Sequence, residues 1–208
     1  MSTKVYIPPP MDLQFLPGPL QWDESKTQRV LEIGPGKGEF LLHLSQCYPE
    51  KQFVGLEIKR GRFERIAGKA VKLELGNLTM VRGDARECLP RLFSPGTFDQ
   101  IYVLFPDPWP KSRHSKHRLL KDSLIRQLWE LLKDQGEIFS ATDAGFYSDE
   151  ICAAFSVAGG FCREAIQSLF PTYFEKKWKA LGKEINYWKF TKLSEAKEQR
   201  LQRLGSSL

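Results

Sequence analysis

Short apolar runs alternate with stretches of helical spacing through most of the chain, and each run ends beside a turn residue or an acid. Arg29-Val30-Leu31-Glu32-Ile33 has the composition of a strand and stops at Gly34-Pro35-Gly36-Lys37-Gly38. From Glu39 to Tyr48, Phe40, Leu41, Leu44 and Cys47 recur on one helical face, and Pro49 ends that helix. Gln52 to Ile58 reads as a second strand, followed by a helix from about Gly61 to Leu75 with Gly76 expected at its C′ position. Leu78 to Val81 is a third strand running into Gly83-Asp84, and Arg86 to Leu92 a short helix. Phe98 to Phe105 is the fourth strand, Leu119 to Lys133 a helix, and Gly136 to Thr142 the fifth strand, stopping at Asp143. A helix from Tyr147 to Ala158 precedes Gly159-Gly160 and a less regular part, and Ile185 to Thr191 is the last strand.

Strands and helices in alternation predict an α/β fold, a parallel sheet with helices on both faces, whose ligands sit outside the carboxyl ends of the strands. Glu32, Glu57, Asp84, Asp107 and Asp143 all fall at or beside such ends. The flanks differ in character. Residues 1–27 carry Pro8-Pro9-Pro10 and Pro17-Gly18-Pro19 without periodicity and are expected to form an arm, and the polar residues 193–208 a frayed helical tail. That leaves 28–192 as one domain.

Composition narrows the class. With 41% hydrophobic residues among 208, the chain has ample core material. No apolar run approaches the roughly 20 residues needed to cross a bilayer, and the start has no apolar core of signal-peptide length, so a soluble cytoplasmic protein with no membrane partner is expected. The 4 cysteines are widely spaced and form no C-x-x-C pair, so no metal site is expected. The formal charge of +6 is modest, and its distribution says more. Lys59, Arg60, Arg62, Arg65 and Lys69 read as the exposed face of an amphipathic helix, whereas Lys111, Arg113, Lys116, Arg118 and Lys121 cluster beside an unusual loop.

That loop is Phe105-Pro106-Asp107-Pro108-Trp109-Pro110. Its prolines preclude helix and central strand and hold Asp107 and Trp109 in a stiff presentation. The glycine turn at 34–38 lets a ligand approach the backbone, but it lacks the G-x-G-x-x-G spacing of dinucleotide-binding folds. Glu57 suits two ribose hydroxyls, Asp84 an exocyclic amine, and Glu32 an ammonium or sulfonium. The charge pattern fits a nucleoside carrying a cation better than a pyrophosphate.

This combination, over residues 29 to 143, resembles the Rossmann-like class I S-adenosylmethionine-dependent methyltransferases, which implies a mostly parallel seven-stranded sheet with helices on both faces. Leu104-Phe105-Pro106-Asp107-Pro108-Trp109-Pro110-Lys111, the basic run Arg113 to Arg118, Ala141-Thr142-Asp143 and Thr172-Tyr173-Phe174-Glu175 together resemble the bacterial tRNA (guanine-N7)-methyltransferase family, which modifies the variable-loop guanosine at position 46. The resemblance implies S-adenosyl-L-methionine as cofactor, contacted by Glu32, Gly34, Gly36, Gly38, Glu57, Asp84 and Asp107. It implies Asp107 as the catalytic residue and substrate contacts from Lys111, Asp143, Thr172 and Glu175. tRNA is the implied partner, met by Arg113, His114, Lys116, His117 and Arg118, with a monomer or homodimer as the working unit. An amino-group methyltransferase of the N6-adenine type is the alternative, since Asp107-Pro108-Trp109 is one residue short of its Asp-Pro-Pro-aromatic hallmark.

Overall fold

The computed structural model describes residues 11–12, 18–168 and 172–194, and its strands and helices alternate as the apolar runs predict. After a two-residue β1 (Met11–Asp12) come β2 (Arg29–Ile33), α1 (Glu39–Cys47), β3 (Gln52–Glu57), α2 (Arg60–Lys72), β4 (Leu78–Arg82) and α3 (Ala85–Leu92). Then follow β5 (Phe98–Leu104), a 3₁₀ turn (Ser112–His117), α4 (Asp122–Leu131), β6 (Leu132–Thr142) and α5 (Gly145–Ala158). The chain closes with β7 (Phe161–Ala165), α6 (Tyr173–Ala180) and β8 (Asn186–Lys192).

All strands join one sheet in the order β1-β4-β3-β2-β5-β6-β8-β7. Strands β1 to β6 are mutually parallel, and β8 runs antiparallel between β6 and β7. Seven strands form the expected sheet, and the short β1 adds an eighth at its edge against Val81 and Arg82. Burial on both faces explains why the central strands are apolar almost throughout. Leu31, Val54, Ile101 and Ile138 pack toward Leu89, Leu128 and Phe155 of α3, α4 and α5. On the other face Val30, Phe53, Tyr102 and Phe139 meet Phe40 and Ile66 of α1 and α2, with Tyr102 stacked on Phe139 at 4.8 Å.

Several boundaries differ from expectation, each for a physical reason. The left-handed residue after α2 is Glu74 (φ 52°), two places before Gly76, because the helix ends at Lys72. Helix α4 stops at Leu131, where Lys192 Nζ donates to the carbonyls of Trp129 (2.9 Å) and Leu132 (2.8 Å), and β6 begins at once. Strand β7 was unforeseen, since four of its five residues are exposed on the sheet edge and give no alternation. Most of the arm and residues 195–208 of the tail lie outside the described residues. Among the described residues no helix is long and apolar enough to cross a membrane.

Candidate active site at the carboxyl edge of the sheet

The turns after β2, β3, β4, β5 and β6 open at one edge of the sheet, and two cavities lie there. The larger, of about 470 Å³, is lined by Ile33, Glu57, Asp84, Trp109 and His117 among others. The smaller, of about 130 Å³, takes in Glu32, Gly36, Asp143, Phe174 and Trp178. Gly34, Arg62 and Leu104 to Asp107 line both, so Asp107 stands on the wall between them. Its carboxylate is exposed and makes no hydrogen bond or ion pair with the described residues.

Glu32 is 3% exposed and its Oε2 has no partner among the described residues. Burial, and after it the neighbouring Glu57 carboxylate, push its pKa up to about 8. Glu57 is equally buried: Oε1 accepts from the Lys59 N–H at 2.8 Å, and Oε2 is unpartnered among the described residues. Two buried carboxylate oxygens without donors are expensive unless a ligand supplies them. Asp84 caps α3, accepting from Arg86 N at 2.9 Å, which leaves its second oxygen toward the larger cavity and the Arg86 guanidinium at 3.5 Å.

The glycines divide by what a side chain would meet. Gly34 (φ 72°) has nothing within 4 Å and lines both cavities, and a Cβ on Gly36 (φ 60°) would touch only Phe174 and a backbone oxygen. Gly38, expected among the cofactor contacts, lines neither cavity. It starts α1 at φ 77°, and a Cβ there would lie 2.7 Å from Ile66 of α2, so its glycine serves helix packing.

Beyond β5 the backbone is strained at two bulky residues, Phe105 (φ 51°) and Trp109 (φ 43°), at a cost of order 1–3 kcal/mol each. Phe105 N donates to Ala141 O of β6 at 2.8 Å. Trp109 is 38% exposed, with the His114 and His117 rings centred 5.8 and 5.3 Å away. Lys111, Arg113, Lys116 and His117 are exposed on or beside the 3₁₀ turn. Arg118 is not: grouped in sequence with the cations expected to meet tRNA, it is 6% exposed and points inward. Its Nε and Nη2 donate to the carbonyls of Pro108 and Trp109, both at 2.9 Å, and Nη1 pairs with Glu150 of α5.

The expected substrate residues are already engaged. Asp143 forms an ion pair with Lys183 at 2.5 Å. Thr172 caps α6 by accepting from Glu175 N at 3.2 Å, the bond of a helix-capping motif. Glu175 is 1% exposed, with Oε1 accepting from Ser168 and Lys179, both at 2.6 Å, and the Tyr187 hydroxyl nearby. Burial alone would raise its pKa, but the hydrogen bonds and the Lys179 charge hold it below the ordinary glutamate value. Glu175 therefore lies buried beneath α6, engaged by Ser168 and Lys179. Sequence reasoning missed Arg62 and Trp178 as cavity residues and Lys183 as the partner of Asp143. Arg62 had one usable signal, its place in the first turn of α2, five residues beyond the strand-ending Glu57.

A parallel sheet interrupted near one edge by the antiparallel β8, a glycine turn after β2 and acids at successive strand ends together define a class I methyltransferase fold. Among solved structures, the aminoglycoside resistance methyltransferase NpmB1 superimposes with a TM-score of 0.58 and 18% identity, covering 82% of this chain and 89% of that one. A family model described as "Putative methyltransferase" matches residues 26–188. The tRNA (guanine-N(7)-)-methyltransferase of Thermotoga maritima is 35% identical over 173 residues, 80% of this chain and 55% of that protein. That of Cupriavidus pinatubonensis is 32% identical over 187 residues, 84% of this chain and 73% of that protein. The chain belongs to the tRNA (guanine-N(7)-)-methyltransferase family, and it matches between about half and three quarters of the length of these relatives.

Proposed function

We propose that residues 28–192 form a methyltransferase domain that moves a methyl group from S-adenosyl-L-methionine to N7 of a tRNA guanosine, the one at position 46 of the variable loop. The observation that carries this reading is Asp107, a carboxylate unpaired among the described residues, on the wall shared by a roomy acid-lined cavity and a smaller one. The residues present fit the cofactor. The Oε2 atoms of Glu57 and Glu32, unpartnered among the described residues, suit ribose hydroxyls and an ammonium, and Asp84 has an oxygen toward the larger cavity, held only by a 3.5 Å contact to Arg86, that suits an adenine amine. Gly34 and Gly36 leave room for close approach to the backbone. When bound, the cofactor supplies an electrophilic methyl group.

The protein's own task is positioning. Guanine N7 has a free lone pair and no proton, so no general base is required, and alignment alone can lower the barrier by roughly 7 to 11 kcal/mol. Asp107 holds the guanine and offsets the positive charge that develops on the base. Asp143 can accept from guanine N1 and N2 once Lys183 lets go, a pattern that adenine cannot match. Lys111, Arg113, His114, Lys116 and His117, on or beside the 3₁₀ turn that follows the Asp107 loop, present donors to RNA phosphates, and half-exposed Trp109 offers a stacking face to an unstacked nucleotide.

Mass spectrometry of nucleosides from unmodified tRNA, treated with protein and S-adenosylmethionine, tests the proposal. It expects N7-methylguanosine. N6-methyladenosine as the product would replace the reading with the amino-group alternative, and no methylated nucleoside would refute both.

A further inference from the structure

Three prolines leave the Asp107 loop without an internal scaffold. Pro106, Pro108 and Pro110 donate nothing, and among the described residues no backbone–backbone hydrogen bond involves residues 106–110. The loop nevertheless holds two bulky residues at positive φ, Phe105 and Trp109, on either side of Asp107. Something outside the loop must hold that geometry. Phe105 is tied to β6 by its N–H on Ala141 O, and the Pro108–Trp109 end is held by the buried guanidinium of Arg118, which donates to the carbonyls of Pro108 and Trp109, both at 2.9 Å.

Arg118 is itself held from the other side. Its Nη1 pairs with Glu150, and its Cζ lies 5.2 Å from the Phe146 ring and 5.9 Å from the Tyr147 ring. Tyr147 also accepts, through its hydroxyl, from the backbone N–H of Leu120 at 3.2 Å. All three partners sit in the first turns of α5, which begins at Gly145, just after Asp143. The guanidinium thus bridges the loop that carries Asp107 to the helix that starts beside Asp143. A planar five-donor fork can serve two carbonyls and a carboxylate at once, and an ammonium cannot.

We infer that Arg118 is a positioning residue: it sets the Pro108–Trp109 backbone, and with it the place of Asp107 relative to Asp143, and makes no contact with RNA. This rests on the function proposed above only for its kinetic consequence. The structural consequence can be read without turnover.

The test compares Arg118→Lys, Arg118→Ala and Glu150→Gln with wild type. The wild-type spectrum should show one sharp Trp109 indole ¹⁵N–H resonance, assigned by its loss in Trp109→Phe. It should shift or broaden in both Arg118 variants and move less in Glu150→Gln. Under saturating tRNA and cofactor, both Arg118 variants should lose about 10²-fold in kcat, the scale expected for a displaced reacting group. Their tRNA Kd should stay within about twofold of wild type with the same salt slope, because no phosphate contact is removed. Lysine should not rescue, which separates fork geometry from charge. An unmoved Trp109 resonance would overturn the inference, as would a reduced salt slope with kcat intact. If wild type methylates no tRNA, the function proposal fails, and the resonance alone decides this one. A variant that does not fold leaves the decision to Glu150→Gln: an unchanged resonance there overturns the inference.

Discussion

Replacing Glu32 with glutamine should stabilise the ligand-free protein and weaken its cofactor binding. Burial and the nearby Glu57 carboxylate push Glu32 up to about 8, whereas in the unfolded chain it returns to the ordinary glutamate value of 4.5. Between those values the folded protein holds one more proton than the unfolded chain. Stability is therefore fully present below pH 4.5 and lost as pH rises through 8, at about 1.4 kcal/mol per pH unit. From pH 5 to pH 8 the loss is about 4 kcal/mol, a large part of a typical domain's stability. Glu32→Gln keeps the shape and removes the titration, so its advantage over wild type should grow with pH and level off above 8. Urea unfolding of both proteins at pH 5.5, 6.5, 7.5 and 8.5 measures it. With S-adenosylmethionine the sign reverses. At pH 7 about nine tenths of wild-type molecules hold Glu32 protonated, and pairing it with an ammonium releases about 0.9 proton. The release appears as a dependence of calorimetric binding enthalpy on the buffer's ionisation enthalpy. The glutamine variant should release none and bind about 10- to 100-fold more weakly, the worth of one charge-assisted hydrogen bond. A stability difference that is constant across pH would refute the argument.

Asp107→Ala should abolish methyl transfer while tRNA affinity in filter binding stays within about threefold; near wild-type turnover would sink the catalytic assignment. Arg113→Ala and Lys116→Ala, at exposed cations of the 3₁₀ turn, should each weaken tRNA binding and lower the salt slope by about one. Unchanged slopes would make that turn an ordinary solvated surface. Gly38→Ala should cost about 1–3 kcal/mol in urea unfolding, since it combines a positive φ with a Cβ 2.7 Å from Ile66. Gly34→Ala meets nothing within 4 Å and should cost less stability while weakening cofactor binding, so equal costs would refute the division between the two glycines.

What could be read from sequence follows from which forces act locally. Strands β2, β3, β4 and β5 were legible because burial on both faces demands apolar runs, and their ends because glycines and acids break those runs. Strand β7 was not, because an edge strand with solvent on most positions is under no such demand. The same reasoning divides the site. Asp107 was visible because prolines isolate it, a property of five consecutive residues. Arg118 looks in sequence like its neighbours, and only the fold distinguishes it, by bringing Glu150 of α5 up against the 3₁₀ turn. Thr172 and Glu175 carry the opposite lesson. Their spacing is that of a helix-capping motif as much as of a substrate motif, and the structure realises the cap, with Glu175 turned beneath α6. A lysine from α6 and another from the turn after it neutralise both acids expected to read guanine, Lys179 on Glu175 and Lys183 on Asp143. Of the two, Asp143 is the more accessible, since it lines the smaller cavity and its partner Lys183 is half-exposed, whereas Glu175 is buried. Guanine recognition in this chain should therefore follow Asp143 and Lys183 together, with Glu175 acting through the stability of α6.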